Sequence, residues 1–291
     1  MPDVAKPKLT LTRLLEMKAA GEPIVMVTAY DFPGARAAER AGVDAILVGD
    51  SAAQVVLGYE STAQISVDEL LTLARAARRG APATFLVCDL PFGSTEVSDA
   101  QAIETAVRFV REAGADAVKL EGGGPERLER IRAIVAAGVP VVGHLGLTPQ
   151  TATMLGGYRA QGRTVESARR LVAETMAVQD AGVCALVIEA VPTDVVAKIL
   201  PRVAVPVIGI GAGPADGQVL VLHDLIGITE GRTPVFVKRF AELGTAMADA
   251  IADYSDEVRG GRFPADEHQY RSAPEAVAAA RAAIEEGGGV R

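Results

Sequence analysis

The chain has 291 residues, 49% of them hydrophobic and 23% charged, and carries a formal net charge of −8. That composition supplies a sizeable globular core, while the acidic balance and the lack of any basic run exclude a surface built for nucleic acid or anionic lipid. No run approaches the ~20 apolar residues of a membrane span and the opening MPDVAKPKLT lacks a secretory core, so a cytosolic protein acting on a small molecule is expected.

In chain order, a helical pattern over LTRLLEMKAAGEP precedes a first strand, PIVMVTAYD. Apolar runs bounded by turn signals follow at DAILVGD, ATFLVCDLP, DAVKLEGG, PVVGHLG, ALVIEAVP, PVIGIGAG and GQVLVLHD, making eight strands. Helical stretches separate most of them, at residues 33–42, 67–79, 99–113, 125–137, 165–181 and 193–200, with a long one near 236–259. Four helices close on Ala-Gly, which places Gly42, Gly114, Gly138 and Gly182 where a helix wants a left-handed terminating residue. Both cysteines, Cys88 and Cys184, lie in apolar runs, as small hydrophobes rather than disulfide or zinc ligands.

Strands apolar on both faces, alternating with helices, require a parallel sheet covered on all sides. Eight such units predict an α/β fold, a (β/α)8 TIM barrel over residues 1–270, with the N-terminal helix plugging its bottom. An open doubly wound sheet competes, but TAYDFPGARAAE after the first strand lacks the Gly-rich dinucleotide fingerprint. Residues 271–291 lie beyond the barrel, as a docked helix or a loose tail.

In a TIM barrel the site is assembled at the C-terminal ends of the strands. Those ends carry Asp31, then Asp50 and Ser51, Asp89, Lys119 and Glu121, His144, Glu189, the Gly209 to Gly213 loop, and His223 with Asp224. A buried carboxylate must be paired, hydrogen-bonded or bound to metal, so this bias toward one rim points to a shared ligand. Asp50, Asp89 and Glu121, on consecutive strands, form a hard oxygen set suited to Mg²⁺. Lys119, two residues before Glu121, points the same way and can meet an anionic substrate or pair with Asp89 or Glu121. Glu189 ends an apolar run that suits it to accept a proton. His144 fits a structural or a catalytic role equally, and His223 and His268 are expected to be structural. The GIGAG loop fits anion binding or close packing, and Tyr158, Arg159, Gln161 and Arg163 form a lid or a solvated loop.

Taken together, VGDS, GYEST, DLPFGS, VKLEGG, GHLGLTPQ, GGYRAQGR, VIEAVP, PVIGIGAG and DGQVLVLHDLIGI closely resemble the ketopantoate hydroxymethyltransferase family, in order from about residue 8 to FPADEHQY near 270. The resemblance implies a Mg²⁺-dependent barrel that moves a one-carbon unit from 5,10-methylenetetrahydrofolate to the oxo acid 3-methyl-2-oxobutanoate. It also implies a homo-oligomer, commonly a decamer. By position, Asp50 and Asp89 resemble the metal ligands, with Glu121 the third acid. Asp50, Ser51, Asp89 and Lys119 resemble the oxo-acid contacts, His144 matches a histidine near the substrate, and Glu189 resembles the proton acceptor. The chain departs from the family's usual Leu-Gly-Met at Ala52, Ala53 and Gln54, and from Tyr-His-Thr at Thr72, Leu73 and Ala74. Other readings of the same rim are a Mg²⁺-dependent carbon–carbon lyase or mutase of the phosphoenolpyruvate mutase and isocitrate lyase type, a Schiff-base aldolase using Lys119, and a catalytically impaired oxo-acid-binding paralogue.

Overall fold

The computed structural model describes residues 8–231 and 233–287, so MPDVAKP at the start and GGVR at the end lie outside the described residues. Eight parallel strands close on themselves in sequence order: β1 (Ile24–Thr28), β2 (Ala45–Val48), β3 (Phe85–Asp89), β4 (Ala117–Glu121), β5 (Val141–Gly146), β6 (Ala185–Glu189), β7 (Val207–Ile210) and β8 (Gly217–Leu220). The barrel shuts where Ile24 to Val27 pair with Gly217 to Leu220. Alternation along each strand sends one set of side chains inward and the other toward the helices. Met26, Leu47, Phe85, Val87, Val142, Val187, Ile208 and Val219 fill the inner cluster, which Leu14 and Met17 of α1 (Leu11–Ala20) join from below. The first helix is therefore the expected plug.

The helices that follow are α2 (Phe32–Ala41), the short α3 (Ala52–Val55), α4 (Val67–Gly80), α5 (Asp99–Ala113), α6 (Pro125–Ala136), α7 (Val165–Asp180), α8 (Thr193–Ile199) and the short α9 (Leu222–Leu225). Side chains start them: Ser66 with Glu69 and Thr164 with Ser167 form capping boxes on α4 and α7, and Ser98 caps α5. Gly42, Gly114, Gly138 and Gly182 all adopt the left-handed conformation expected of them. The second, larger cluster buries Ile46, Leu86, Val118 and Ile188 from the strands against Leu70, Phe109, Ile131 and Val196 from the helices.

The sequence predicts no helix between β7 and β8, and the chain passes from one to the other through residues 211–216 without one, because this stretch has to pack rather than coil. A Cβ on Gly211 would lie 2.5 Å from the Phe236 ring, and one on Gly213 would lie 2.4 Å from the Thr193 hydroxyl. The glycines of GIGAG thus serve close packing. One expectation changes: the long helix near 236–259 starts only at Leu243, since the Phe240 N–H is held by the Leu225 carbonyl.

Cα packing divides the chain into two compact units, one ending at Ala241 and one beginning at Glu242. The second unit contains α10 (Leu243–Arg259) and α11 (Pro274–Glu286). Within it the Phe263 ring sits between Tyr254 and His268, at 5.5 and 5.2 Å. Leu243, Met247, Ile251, Tyr254 and Val258 recur every three or four residues along α10 and are exposed. No helix among the described residues is long and apolar enough to cross a membrane.

Gly146 ends β5 at φ 93°, and a Cβ there would fall 2.2 Å from the Glu189 carbonyl oxygen on β6. Gly146→Ala is expected to cost on the order of 2–4 kcal/mol, from backbone strain and from forcing two strand ends apart. Urea unfolding measures this, and a loss within about 0.5 kcal/mol, the range of an ordinary surface change, contradicts the packing account.

Candidate active site

The barrel register sets the site. Asp89, the last residue of β3, lies beside Lys119 of β4, and Glu121 at the end of β4 lies beside His144 of β5. Beyond β2 the chain turns at Gly49 and delivers Asp50 and Ser51 to the same rim, and Glu189 ends β6. Asp50, Ser51, Asp89, Lys119, Glu121, His144 and Glu189 all line one cavity of about 660 Å³. His223 and Asp224 line it too. Asp31 does not: its carboxylate caps α2, accepting from the Gly34 N–H at 2.7 Å, the local role open to any Asp in a turn.

An unbroken chain of charge crosses the cavity floor. Lys119 Nζ lies 2.9 Å from Asp89 Oδ1 and 3.2 Å from His144 Nδ1. His144 Nδ1 lies 3.1 Å from Glu121 Oε1, and His144 Nε2 lies 3.2 Å from Glu189 Oε2. Neither Asp89 Oδ1 nor His144 Nε2 has the alignment of a hydrogen bond, so these two are close contacts of charge rather than directed bonds. Lys119, Glu121 and His144 are almost wholly buried, and Glu189 is partly open to the cavity.

Burial and its charged neighbours determine how these groups titrate. Burial raises the Asp50 carboxyl well above the usual range and the Asp89 and Glu121 charges add to this, against Lys119 and the Gln150 amide. Burial works against the Lys119 ammonium, yet Asp89, Glu121 and Asp50 outweigh it and hold Lys119 above its ordinary value. Glu121 is lowered despite its burial by the bond to His144, by the charges of His144 and Lys119, and by the Gln150 N–H. For His144, burial and the Lys119 charge oppose protonation, but the bond to Glu121 and the close contact with Glu189 lift it to about 9. Each buried cation lies against a carboxylate, and the acids outnumber the cations: Lys119 and His144 pair with Asp89, Glu121 and Glu189, and Lys119 acts on Asp50 without a direct ion pair to it.

That imbalance fits a divalent cation. Asp50 and Asp89 are adjacent, the Asp50 N–H donating to Asp89 Oδ2 at 2.9 Å, and Asp89 Oδ1 takes no directed bond. The donor set is hard oxygen, with no cysteine, and a Mg²⁺ ion needs only one or two carboxylates beside substrate oxygens and water. Among the described residues no three Cys, His, Asp or Glu side chains converge as they would to hold a metal ion by themselves. Glu121 is held by His144 and by the Gln150 N–H at 3.1 Å. The arrangement would fit an ion held by Asp50 and Asp89 with substrate oxygens and water, Glu121 standing beside them.

Two contributors escaped the sequence reading. Tyr30, at the end of β1, places its hydroxyl 2.8 Å from Ser51 Oγ. Gln150, in the turn after β5, donates from Nε2 to Asp50 Oδ2 at 2.8 Å and to the Leu90 carbonyl at 3.0 Å. A polar group just beyond a strand end was the available signal, and a lone neutral side chain there names no partner. Of the lid residues, Tyr158 lines the cavity while remaining 57% exposed. Gln161 ties the same loop to β6 by donating its N–H to the Ala190 carbonyl. Gln54, the departure from the family's Met, also lines the cavity, whereas Ala52 and Ala53 are buried beneath it.

Residues 8–266 match the family model described as ketopantoate hydroxymethyltransferase. The chain belongs to the ketopantoate hydroxymethyltransferase family. It is 50% identical to the 3-methyl-2-oxobutanoate hydroxymethyltransferase of Deinococcus radiodurans, over 93% of each chain. It is 51% identical to that of Moorella thermoacetica, over 91% of this chain and 98% of the relative. Among solved structures, phosphonopyruvate hydrolase in complex with oxalate and Mg++ superposes with a TM-score of 0.59 at 15% identity, over 95% of this chain and 98% of that one. That likeness shows a shared fold alone, so the lyase and mutase reading gains only a common barrel. The ketopantoate hydroxymethyltransferase match runs the length of the barrel and on into the second unit.

The His144 charge has a consequence for stability. Its value of about 9 in the fold exceeds the ~6.5 of an unfolded histidine, so the charge stabilises the fold fully below about pH 6.5 and ceases to as pH rises through 9. In EDTA, the unfolding free energy of the native chain should fall by roughly 3 kcal/mol between pH 6.5 and 9.5, and that of His144→Gln by much less. Equal slopes in urea titrations of the two proteins count against the assignment.

Proposed function

We infer that the chain transfers a hydroxymethyl group from 5,10-methylenetetrahydrofolate to 3-methyl-2-oxobutanoate, giving ketopantoate in the first committed step of pantothenate biosynthesis. Beyond family membership, one observation carries this reading: an acidic pair short of a cation and a partly open carboxylate, Glu189, share one cavity and are joined through Lys119 and His144. Such a site can bind an anionic oxo acid at one end and accept its proton at the other.

Asp50 and Asp89 would hold the divalent ion, with Glu121 the third acid; the hard oxygen set favours Mg²⁺ and admits Mn²⁺ or Co²⁺. When bound, the ion draws electron density from the oxo acid's carbonyl and so makes its C3 proton removable. Ser51 and Lys119 bind the substrate's oxygens, the Ser51 hydroxyl steadied by Tyr30. Glu189 takes the C3 proton, and His144, 3.2 Å away, holds the Glu189 carboxylate in place and balances its charge. As that proton leaves, Lys119 faces the negative charge that develops on the substrate. C3 then bonds to the donor's methylene carbon as one of that carbon's two bonds to folate nitrogens breaks; the second breaks as water supplies the hydroxyl, and the proton taken from C3 and the remaining proton of the water end on the two nitrogens, releasing tetrahydrofolate.

The reading also places the protein in the cytosol as a homo-oligomer, a decamer by family resemblance. The exposed apolar stripe along α10 supports self-association, since a monomer has little use for such a surface. Light scattering giving the 30.2 kDa mass of a single chain contradicts this part.

Proton NMR of 3-methyl-2-oxobutanoate in D₂O tests the chemistry in halves. Metal-dependent loss of the C3–H signal, followed by ketopantoate once methylenetetrahydrofolate is added, is expected. In Glu189→Gln, exchange should fall by about 10²–10⁴ while metal-dependent oxo-acid binding persists. Asp89→Asn should weaken binding of metal and oxo acid together. Native exchange in the Gln variant, or native metal affinity in the Asn variant, removes that residue from its role; absence of exchange in the unaltered, metal-loaded protein favours the impaired paralogue.

A further inference from the structure

Gln150 lies in the turn Pro149–Thr151 beyond β5, inside the motif GLTPQ, and none of the roles above uses it. Its backbone is fixed on several sides. The Leu147 N–H donates to the Glu189 carbonyl, the Thr148 and Thr151 hydroxyls meet at 2.7 Å, and the Gln150 N–H reaches Glu121 Oε2. From that base the side chain extends across the rim. Nε2 gives one hydrogen to Asp50 Oδ2 and the other to the carbonyl of Leu90, the residue after Asp89. The Leu90 carbonyl can only accept, so the amide faces the two partners in one orientation alone.

One nitrogen therefore bridges the ends of β2 and β3, the two strands that carry Asp50 and Asp89. We propose that Gln150 is a positioning residue that sets the Asp50 carboxylate, relative to Asp89, for binding of the divalent ion and the oxo acid. This rests on the reading that Asp50 and Asp89 hold that ion. The chemistry explains the residue type. Glutamate would set acceptors against acceptors, lysine would add a charge that competes with the incoming cation, and asparagine is one methylene short of spanning both partners. A neutral amide steadies one Asp50 oxygen and leaves the negative charge for the ligand. Outer partners of this kind alter metal affinity by 10–100-fold in other sites.

The test uses Mn²⁺ as the probe, bound to the full chain and followed by electron paramagnetic resonance of the free ion, beside thermal unfolding and steady-state kinetics. Gln150→Met keeps the length and removes both hydrogens. It should weaken Mn²⁺ binding at least about tenfold and raise the KM for metal and oxo acid in step, with kcat reduced far less. Gln150→Asn retains the amide but not the reach; it should also lose affinity, about fivefold or more, and serves if the Met variant does not fold. A residue that merely holds the loop would lower the melting temperature and leave Mn²⁺ affinity and the KM-to-kcat split unchanged, and that result overturns the proposal. If both variants and the unaltered protein bind Mn²⁺ alike, the inference fails and the metal reading stands. If the unaltered protein binds no Mn²⁺ with or without oxo acid, both fail.

Discussion

A buried ammonium holds the rim together. Lys119 is placed by the β3–β4 register against Asp89 and by its own strand beside Glu121, with Asp50 close by. Three carboxylates brought this near one another out of water would repel strongly, and each alone would take up a proton rather than stay charged. One cation inside the cluster offsets part of that repulsion. His144 offsets a further part, because Glu121 and Glu189 on either side keep it protonated into the alkaline range. What is left over falls on Asp50, whose raised carboxyl marks the point where positive charge is still wanted.

The barrel is what makes such a cluster possible. Parallel strands in register present their last residues side by side, so groups that are distant in sequence become neighbours without any loop having to carry them. Loops then refine the placement. Gly146, without a side chain, lets the end of β5 approach the Glu189 carbonyl, and the turn after it returns Gln150 over the acids. Tyr30 acts in the same way on Ser51 from the neighbouring strand end. The site is a rigid floor of strand residues trimmed by neutral donors from the connections, the division of labour that keeps a binding geometry precise.

Fold and family separate cleanly here. Phosphonopyruvate hydrolase shares this architecture at low identity, and that likeness carries no chemistry by itself. The activity follows from the family match and from relatives that share about half of all positions over nearly the whole chain. The departures at Ala52 and Ala53 are absorbed below the cavity, while Gln54 reaches it with a polar group. The acids, Lys119, His144 and Glu189 are untouched by them.

Apolar runs and their helical partners made the eight strands, the plug and most helix ends legible in the sequence, because burial on both faces and left-handed caps leave a local imprint. The alternation of residues also identified Asp50, Asp89, Lys119, Glu121, His144 and Glu189 as rim groups, since any polar residue ending a buried strand stands out. The sequence offered Lys119 pairing with Asp89 or Glu121 and close packing by the GIGAG glycines as alternatives, but not the contacts of His144, nor that those glycines answer to Phe236 and Thr193. Only the tertiary structure decided that His144 bridges two carboxylates, that Asp31 turns away to cap a helix, and that Gln150 reaches Asp50 across 100 residues of sequence. The sequence alone determines which groups must leave the core. Which of them meet depends on strand register and loop closure, and those are set by contacts among residues that no local pattern connects.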